Sequence, residues 1–153
     1  MDENSGWPPR LLAITTFLLS KTGRLARARL GDRLAREQLR LWHVAVLTAL
    51  ADFGPAIQRD LGTRLGIDPS DLVAVLDDLE SAGRVTRRRD PADRRRWLIS
   101  LTPAGESALA AVDRAAEETH DEVLAPLSAA ERDLLHDLLR RVLLHHDTRP
   151  SAP

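Results

Sequence analysis

Seven arginines stand from Arg84 to Arg96, opposed only by Asp90 and Asp93. A local excess of +5 in 13 residues is a phosphate-binding footprint in a chain whose net charge is −1. Of the 22 basic residues 21 are Arg, and the planar guanidinium suits bidentate contact with a phosphate or a base edge. The competing reading of the same residues is a solvated run paired within itself. The elements that carry the cluster must decide between the two.

Other residue groups offer less. His145, His146 and Asp147 with His136 are of the types that bind zinc, but adjacent histidines at a helix end diverge and favour the helix dipole, so no metal is expected. The absence of Cys excludes disulfides, thiolate sites and thiol redox sensing, and Met1 is the only other sulfur. There is no nucleophile elbow, phosphate loop or metalloprotease motif, so neither catalytic residues nor a cofactor is expected, and the chain reads as a non-enzyme. Its 153 residues, 43% hydrophobic and 29% charged, suit one globular unit with a core. The apolar run from Leu11 to Leu19 is too short to span a bilayer. Its positive charge (Lys21, Arg24, Arg27, Arg29) follows it, the reverse of a signal peptide. A soluble, cytoplasmic protein is expected.

The elements that position the arginines follow from periodicity. Leu11, Ile14, Leu18, Leu25, Leu30 and Leu34 predict a long first helix to about Ala35, with a bend near Gly23 or Gly31. A second helix runs from about Leu41 to Ala51, burying Val44, Leu47 and Leu50, and stops at Phe53-Gly54-Pro55. A short third helix covers Ile57 to Leu65 and ends at Gly66. Asp68-Pro69 opens a fourth, with Leu72, Val75, Leu76 and Leu79 inward until Gly83. Then the period changes: Val85–Arg89 and Arg95–Leu101 read as strands about an Asp90-Pro91-Ala92-Asp93 turn, with Trp97, Ile99 and Leu101 alternating against Leu98 and Ser100. Thr102-Pro103 caps a fifth helix and Ser128 with Glu131 a sixth, and a frayed tail is expected over 148–153.

Helix, turn, helix and an arginine-rich hairpin make a mainly α fold with a small β-hairpin wing, a winged helix-turn-helix flanked by further helices. In such a fold the second helix of the pair enters the major groove and the wing reaches the backbone or minor groove, so the charge cluster falls where double-stranded DNA would lie.

Residues 39–109 resemble the multiple-antibiotic-resistance regulator (MarR) family. The resemblance is carried by Leu47-Thr48-Ala49-Leu50, Gln58-Arg59-Asp60-Leu61, Leu65-Gly66-Ile67-Asp68 and Leu79-Glu80-Ser81-Ala82-Gly83. Above all it rests on the wing Arg89-Asp90-Pro91-Ala92-Asp93-Arg94-Arg95 leading into Leu101-Thr102-Pro103-Ala104-Gly105. It implies a homodimeric transcriptional regulator, usually a repressor, whose DNA affinity often falls when a small ligand binds. The implied organisation is one domain over 1–153: an N-terminal dimerisation helix at 10–36, the DNA-binding core at 39–102 and C-terminal dimerisation helices at 103–147. The apolar positions Leu18, Leu25, Leu135, Leu138 and Val142 are expected at that interface.

Residue by residue, Arg94 and Arg95 match the wing-tip positions that reach the minor groove, and Asp93 the acid that orients them. Arg87, Arg88 and Arg89 are expected at phosphates, with self-pairing to Asp90 as the alternative. Ser70 and Asp71 match the start of the recognition helix, Val73 and Ala74 follow one turn on, and Gln58 heads the supporting helix. Trp42 and His43 stand where the family often forms a ligand cleft, with a merely packed pair as the alternative.

The departure lies in the recognition helix. Its outward residues Asp71, Val73, Ala74, Asp77 and Asp78 include none of the Arg, Lys, Asn or Gln that make bidentate contacts to purines. An acidic face repels phosphates, so affinity is expected from the wings and specificity from groove width and spacing as much as from base contacts. The same face keeps a second reading open, a winged-helix protein-interaction module with little DNA affinity.

Overall fold

The computed structural model describes residues 6–147; the tail expected over 148–153 lies outside them. Seven helices and three strands follow in the order α1 (Pro9–Leu12), α2 (Thr15–Arg36), α3 (Leu41–Phe53), β1 (Ala56–Ile57), α4 (Gln58–Leu65), α5 (Pro69–Ser81), β2 (Val85–Arg89), β3 (Trp97–Leu101), α6 (Pro103–Val123) and α7 (Ala129–His146) among the described residues. The fold is the mainly helical winged helix-turn-helix expected.

The first helix is broken, but not at a glycine. Gly23 and Gly31 lie inside an unbroken α2, and the interruption falls at Ala13-Ile14, where Ile14 is extended. The break lets Trp7 pack edge-on against Phe17 at 5.4 Å between ring centroids, with Lys21 Nζ 4.8 Å from the Trp7 ring. The second helix runs one half-turn beyond Ala51 to Phe53, where Gly54 takes φ +79° and donates to the Leu50 carbonyl. It buries Val46 completely, whereas Val44 is only half-buried.

The caps behave as their chemistry dictates. Asp68 accepts from the Ser70 amide at 2.9 Å, Ser128 and Glu131 form the reciprocal box, and Gly66 closes α4 in the left-handed region. Thr102 Oγ1 accepts from the Gly105 amide at 3.1 Å and donates to the Gly83 carbonyl at 2.7 Å, tying the start of α6 to the turn that follows α5.

The wing carries a strand the hairpin reading missed. Ala56 and Ile57 pair antiparallel with Ile99 and Leu98, giving a three-stranded sheet in the order β1-β3-β2. Two residues are too short to show a period, and Ile57 consequently precedes the third helix instead of beginning it. The second wing strand starts at Trp97, two residues after Arg95, because Asp93 and Arg94–Arg96 are used in the turn.

The core joins α3, α4, α5 and the sheet through Val46, Leu47, Leu61, Leu72, Leu76, Leu79, Val85 and Ile99, and takes in Leu34 from α2. Ala108, Ala111 and Ala115 let α6 approach α2 and α3 closely, and Arg33 crosses from α2 to Glu118 and Glu122 of α6 at 3.2 and 2.6 Å. Helix α7 has no buried residue. It is held at its start, where Arg132 donates to Asp121 and to the Leu124 and Leu127 carbonyls.

Candidate nucleic-acid interface

A cleft of about 930 Å³ opens between α4, the start of α5 and the wing. Gln58, Arg59 and Thr63 line it from α4, Pro69 and Val73 from α5, and Arg95, Arg96 and Trp97 from the wing. The structure therefore brings Gln58, Val73 and Arg95 to one concavity. Gln58 is half-buried, and its Oε1 has no hydrogen-bond partner among the described residues.

The seven arginines divide by task. Arg84 and Arg87 belong to the scaffold: Arg84 donates to the Gln38 and Glu37 carbonyls at 3.2 and 2.8 Å, closing the end of α2, and Arg87 bonds Glu80 at 2.9 Å and also engages Asp77. Burial alone lowers the Arg87 pKa, and the bonds to Asp77 and Glu80 more than reverse this, holding it above the ordinary arginine value. Arg87 is expected at a phosphate from its sequence position, but its side chain is only 20% exposed and its guanidinium is already engaged by two carboxylates. Asp90, the alternative partner considered for the strand arginines, accepts from the Ala92 amide.

Arg88 and Arg89 are exposed, and the Arg89 guanidinium stacks on the Trp97 ring at 3.8 Å. Trp97 shares its strand face with Ile99, but the strand outruns the core at that end, so Trp97 opens on the cleft while Ile99 is buried. At the tip, Asp93 Oδ1 accepts from the Arg95 amide at 3.0 Å and from its Nε at 3.4 Å, and Asp93 Oδ2 faces Arg96 Nε at 3.2 Å. The Arg95 amide, before its side chain and Arg96, holds the Asp93 carboxyl below its usual range. Asp93 thus holds Arg95 and Arg96, whereas the sequence reading gave it Arg94 and Arg95; among the described residues no hydrogen bond or ion pair joins its side chain to that of Arg94. Arg95 remains 94% exposed.

On α5, Ser70, Asp71, Val73 and Ala74 are exposed. The Ser70 hydroxyl donates to Asp68 Oδ1 at 2.5 Å. The carboxylates farther along are engaged: Asp77 by Arg87, and Asp78 by Arg40 and by His43 Nε2 at 3.3 Å. Two carboxylates of the acidic face read from the sequence, Asp77 and Asp78, are therefore paired with arginines from β2 and from the residue before α3, positions no local pattern connects to α5.

His43 and Trp42 part company, as adjacent helical residues must. His43 is buried at 4% exposure, accepts from the Arg40 amide at Nδ1 (3.1 Å), and lines a second cleft of about 680 Å³ with Arg40, Asp78 and Arg84. Burial first, then the neighbouring Arg40, lowers its pKa below the ordinary value despite the opposing Asp78. Trp42 is 44% exposed and lines none of the three described clefts. The third, about 510 Å³, lies among α2, α6 and α7. His145 and His146 meet edge to face at 4.8 Å, and among the described residues no group of three or more His, Asp or Glu is placed to hold a metal. No described helix is long and apolar enough to cross a membrane.

Residues that line the cleft without having been given a DNA contact from the sequence include Arg59, Thr63, Arg96 and Trp97. Arg96 stood in the arginine count, and its only further signal was its i+3 spacing from Asp93.

Residues 38–96 match the family model described as MarR family. The chain is 34% identical over 100 residues to the transcriptional regulator HosA of Escherichia coli O111:H-, covering 65% of this chain and 73% of that protein. It is 38% identical over 97 residues to the uncharacterized HTH-type transcriptional regulator YdgJ of Bacillus subtilis strain 168, covering 63% of this chain but only 59% of that one. Among solved structures, a probable transcriptional regulator of Pseudomonas aeruginosa superposes with a TM-score of 0.72 at 32% identity, over 84% of this chain and 96% of that one. BpsR of Bordetella bronchiseptica, whose DNA binding is regulated by 6-hydroxynicotinic acid, gives 0.68 at 28% identity over 82% and 95%. A mutant MarR of Escherichia coli complexed with operator DNA gives 0.68 at 26% identity over 82% and 91%. By its sequence matches and its fold, this chain belongs to the MarR family.

Proposed function

We propose that the chain is a sequence-specific, double-stranded-DNA-binding transcriptional regulator, a homodimeric and ligand-responsive repressor of the cytoplasm without catalytic activity. The observation that carries the DNA reading is the exposed wing tip: Arg95, held at its amide by Asp93, flanks the cleft whose other wall is the recognition helix. The E. coli MarR neighbour solved with operator DNA supports it. The protein-interaction alternative drew on a row of free carboxylates, and Asp77 and Asp78 are occupied within the chain.

Dimerisation is supported by apolar surface left uncovered in one copy. Leu18, Leu25, Leu138 and Val142 are 39%, 46%, 46% and 54% exposed, and α7 has no fully buried residue, Leu135 being half-buried beside the cleft among α2, α6 and α7. For an effector, the His43 cleft suits a small aromatic or anionic ligand: Arg40, exposed and paired with Asp78, can exchange that carboxylate for an anion, and Leu79 of the recognition helix forms part of the wall. BpsR and its aromatic acid support that chemistry.

The experiment is a salt titration of duplex binding. Counterion release makes affinity fall steeply and linearly on a logarithmic scale if phosphates are neutralised. No measurable duplex affinity at low salt would refute the reading.

A further inference from the structure

Ser70, Val73, Ala74 and Asp77 share one exposed face of α5. Its ends are already engaged: Ser70 Oγ donates to Asp68, and Asp77 pairs with Arg87. What remains at the centre is methyl surface, Val73 at 42% exposure beside Ala74. Helix propensity does not account for a β-branched residue there, since most other residue types suit an exposed helical position better. Val73 lines the same cleft as Arg95, so a duplex drawn in by the wing charge lies against it.

Each base pair offers hydrogen-bonding groups in the major groove, and only the thymine C5-methyl is apolar. A face with no amide or guanidinium to pair with purines and with methyls at its centre matches that one group. We propose that Val73, supported by Ala74, is a specificity-determining residue that packs on thymine C5-methyl groups, so that each half-site is selected by thymine position. The inference rests on the DNA-binding reading above and deepens it.

The test starts from duplexes enriched by this protein from a randomised pool at fixed salt. Each thymine is then replaced in turn by deoxyuridine, which removes only the methyl. One burial of a methyl-sized group corresponds to about a fourfold change in Kd, and a symmetric pair to about fifteenfold. We expect at least one uracil-sensitive position in each half-site. Val73→Ala should weaken binding to the unmodified duplex by a similar factor and become indifferent to uracil at that position. Unchanged thermal unfolding of Val73→Ala establishes that the loss is one of contact. Enriched duplexes that lack thymine there, or tolerate uracil at every position, overturn the assignment and leave DNA binding standing. Failure to enrich any duplex at low salt removes the DNA-binding reading and this inference together.

Discussion

Arg87 Nε donates to Glu80 Oε2 at 2.9 Å, and the same guanidinium engages Asp77, so the first wing strand is clasped to the recognition helix. The first wing strand and the helix are thereby held together through one guanidinium. On the DNA-binding reading proposed above, the clasp also offsets two carboxylates that would repel phosphates.

Arg87→Ala should release those charges. The carboxylates are about half exposed, so the stability loss is small, about 1 kcal/mol in urea unfolding. Duplex affinity should fall by more than that loss suggests. Adding Asp77→Asn and Glu80→Gln should restore much of it, an outcome that a lost phosphate contact would not produce.

Burial, and then Arg40, lower the His43 pKa from the ordinary 6.5. The unfolded chain then binds the proton more readily than the folded one, so this residue's contribution is fully present above about pH 6.5 and is lost as pH falls toward the lower folded value. Wild type should lose stability over that window more steeply than His43→Asn, in which an amide oxygen can replace Nδ1 as acceptor. Parallel pH profiles of the two proteins would contradict the assignment.

Gly105 has no room for a side chain. A methyl at that position would overlap the Arg84 carbonyl oxygen and Leu101 Cδ1. Gly105→Ala should cost about 1–3 kcal/mol by overpacking, read as a lowered urea midpoint. Gly23→Ala meets open space inside α2 and should be neutral or mildly stabilising.

Much of this architecture was legible in the sequence because local chemistry fixed it. Asp68-Pro69, Thr102-Pro103 and Ser128 with Glu131 announce helix starts, and the Asp90–Asp93 turn announces the wing. The close approach behind Gly105 was not legible, since it depends on Arg84 packing across the end of β3. The same limit applies to the site. Counting arginines locates the wing, but whether Arg84 and Arg87 are free depends on Glu37, Gln38, Asp77 and Glu80, contacts set by tertiary packing. The two-residue β1 was too short to carry any period.

Dimerisation through the terminal helices predicts that Leu138→Asp, on an exposed apolar position, converts the protein to monomer without unfolding the core. Sedimentation at micromolar concentration reads this directly. Half-site contact alone should then leave little specific DNA affinity.

On the reading proposed above affinity resides in the wing, and duplex Kd against salt for wild type, Arg94→Ala and Arg95→Ala measures this. Arg95 is 94% exposed and packs against no core, so unfolding should be unchanged in its variant. The account predicts a loss of about 1–3 kcal/mol per changed base contact, doubled in a symmetric dimer, with a shallower salt slope wherever a phosphate contact is lost. Unchanged affinity and slope in both variants, together with abolition of binding by Asp71→Ala or Ala74→Asp, would contradict it and make the recognition helix the source of affinity.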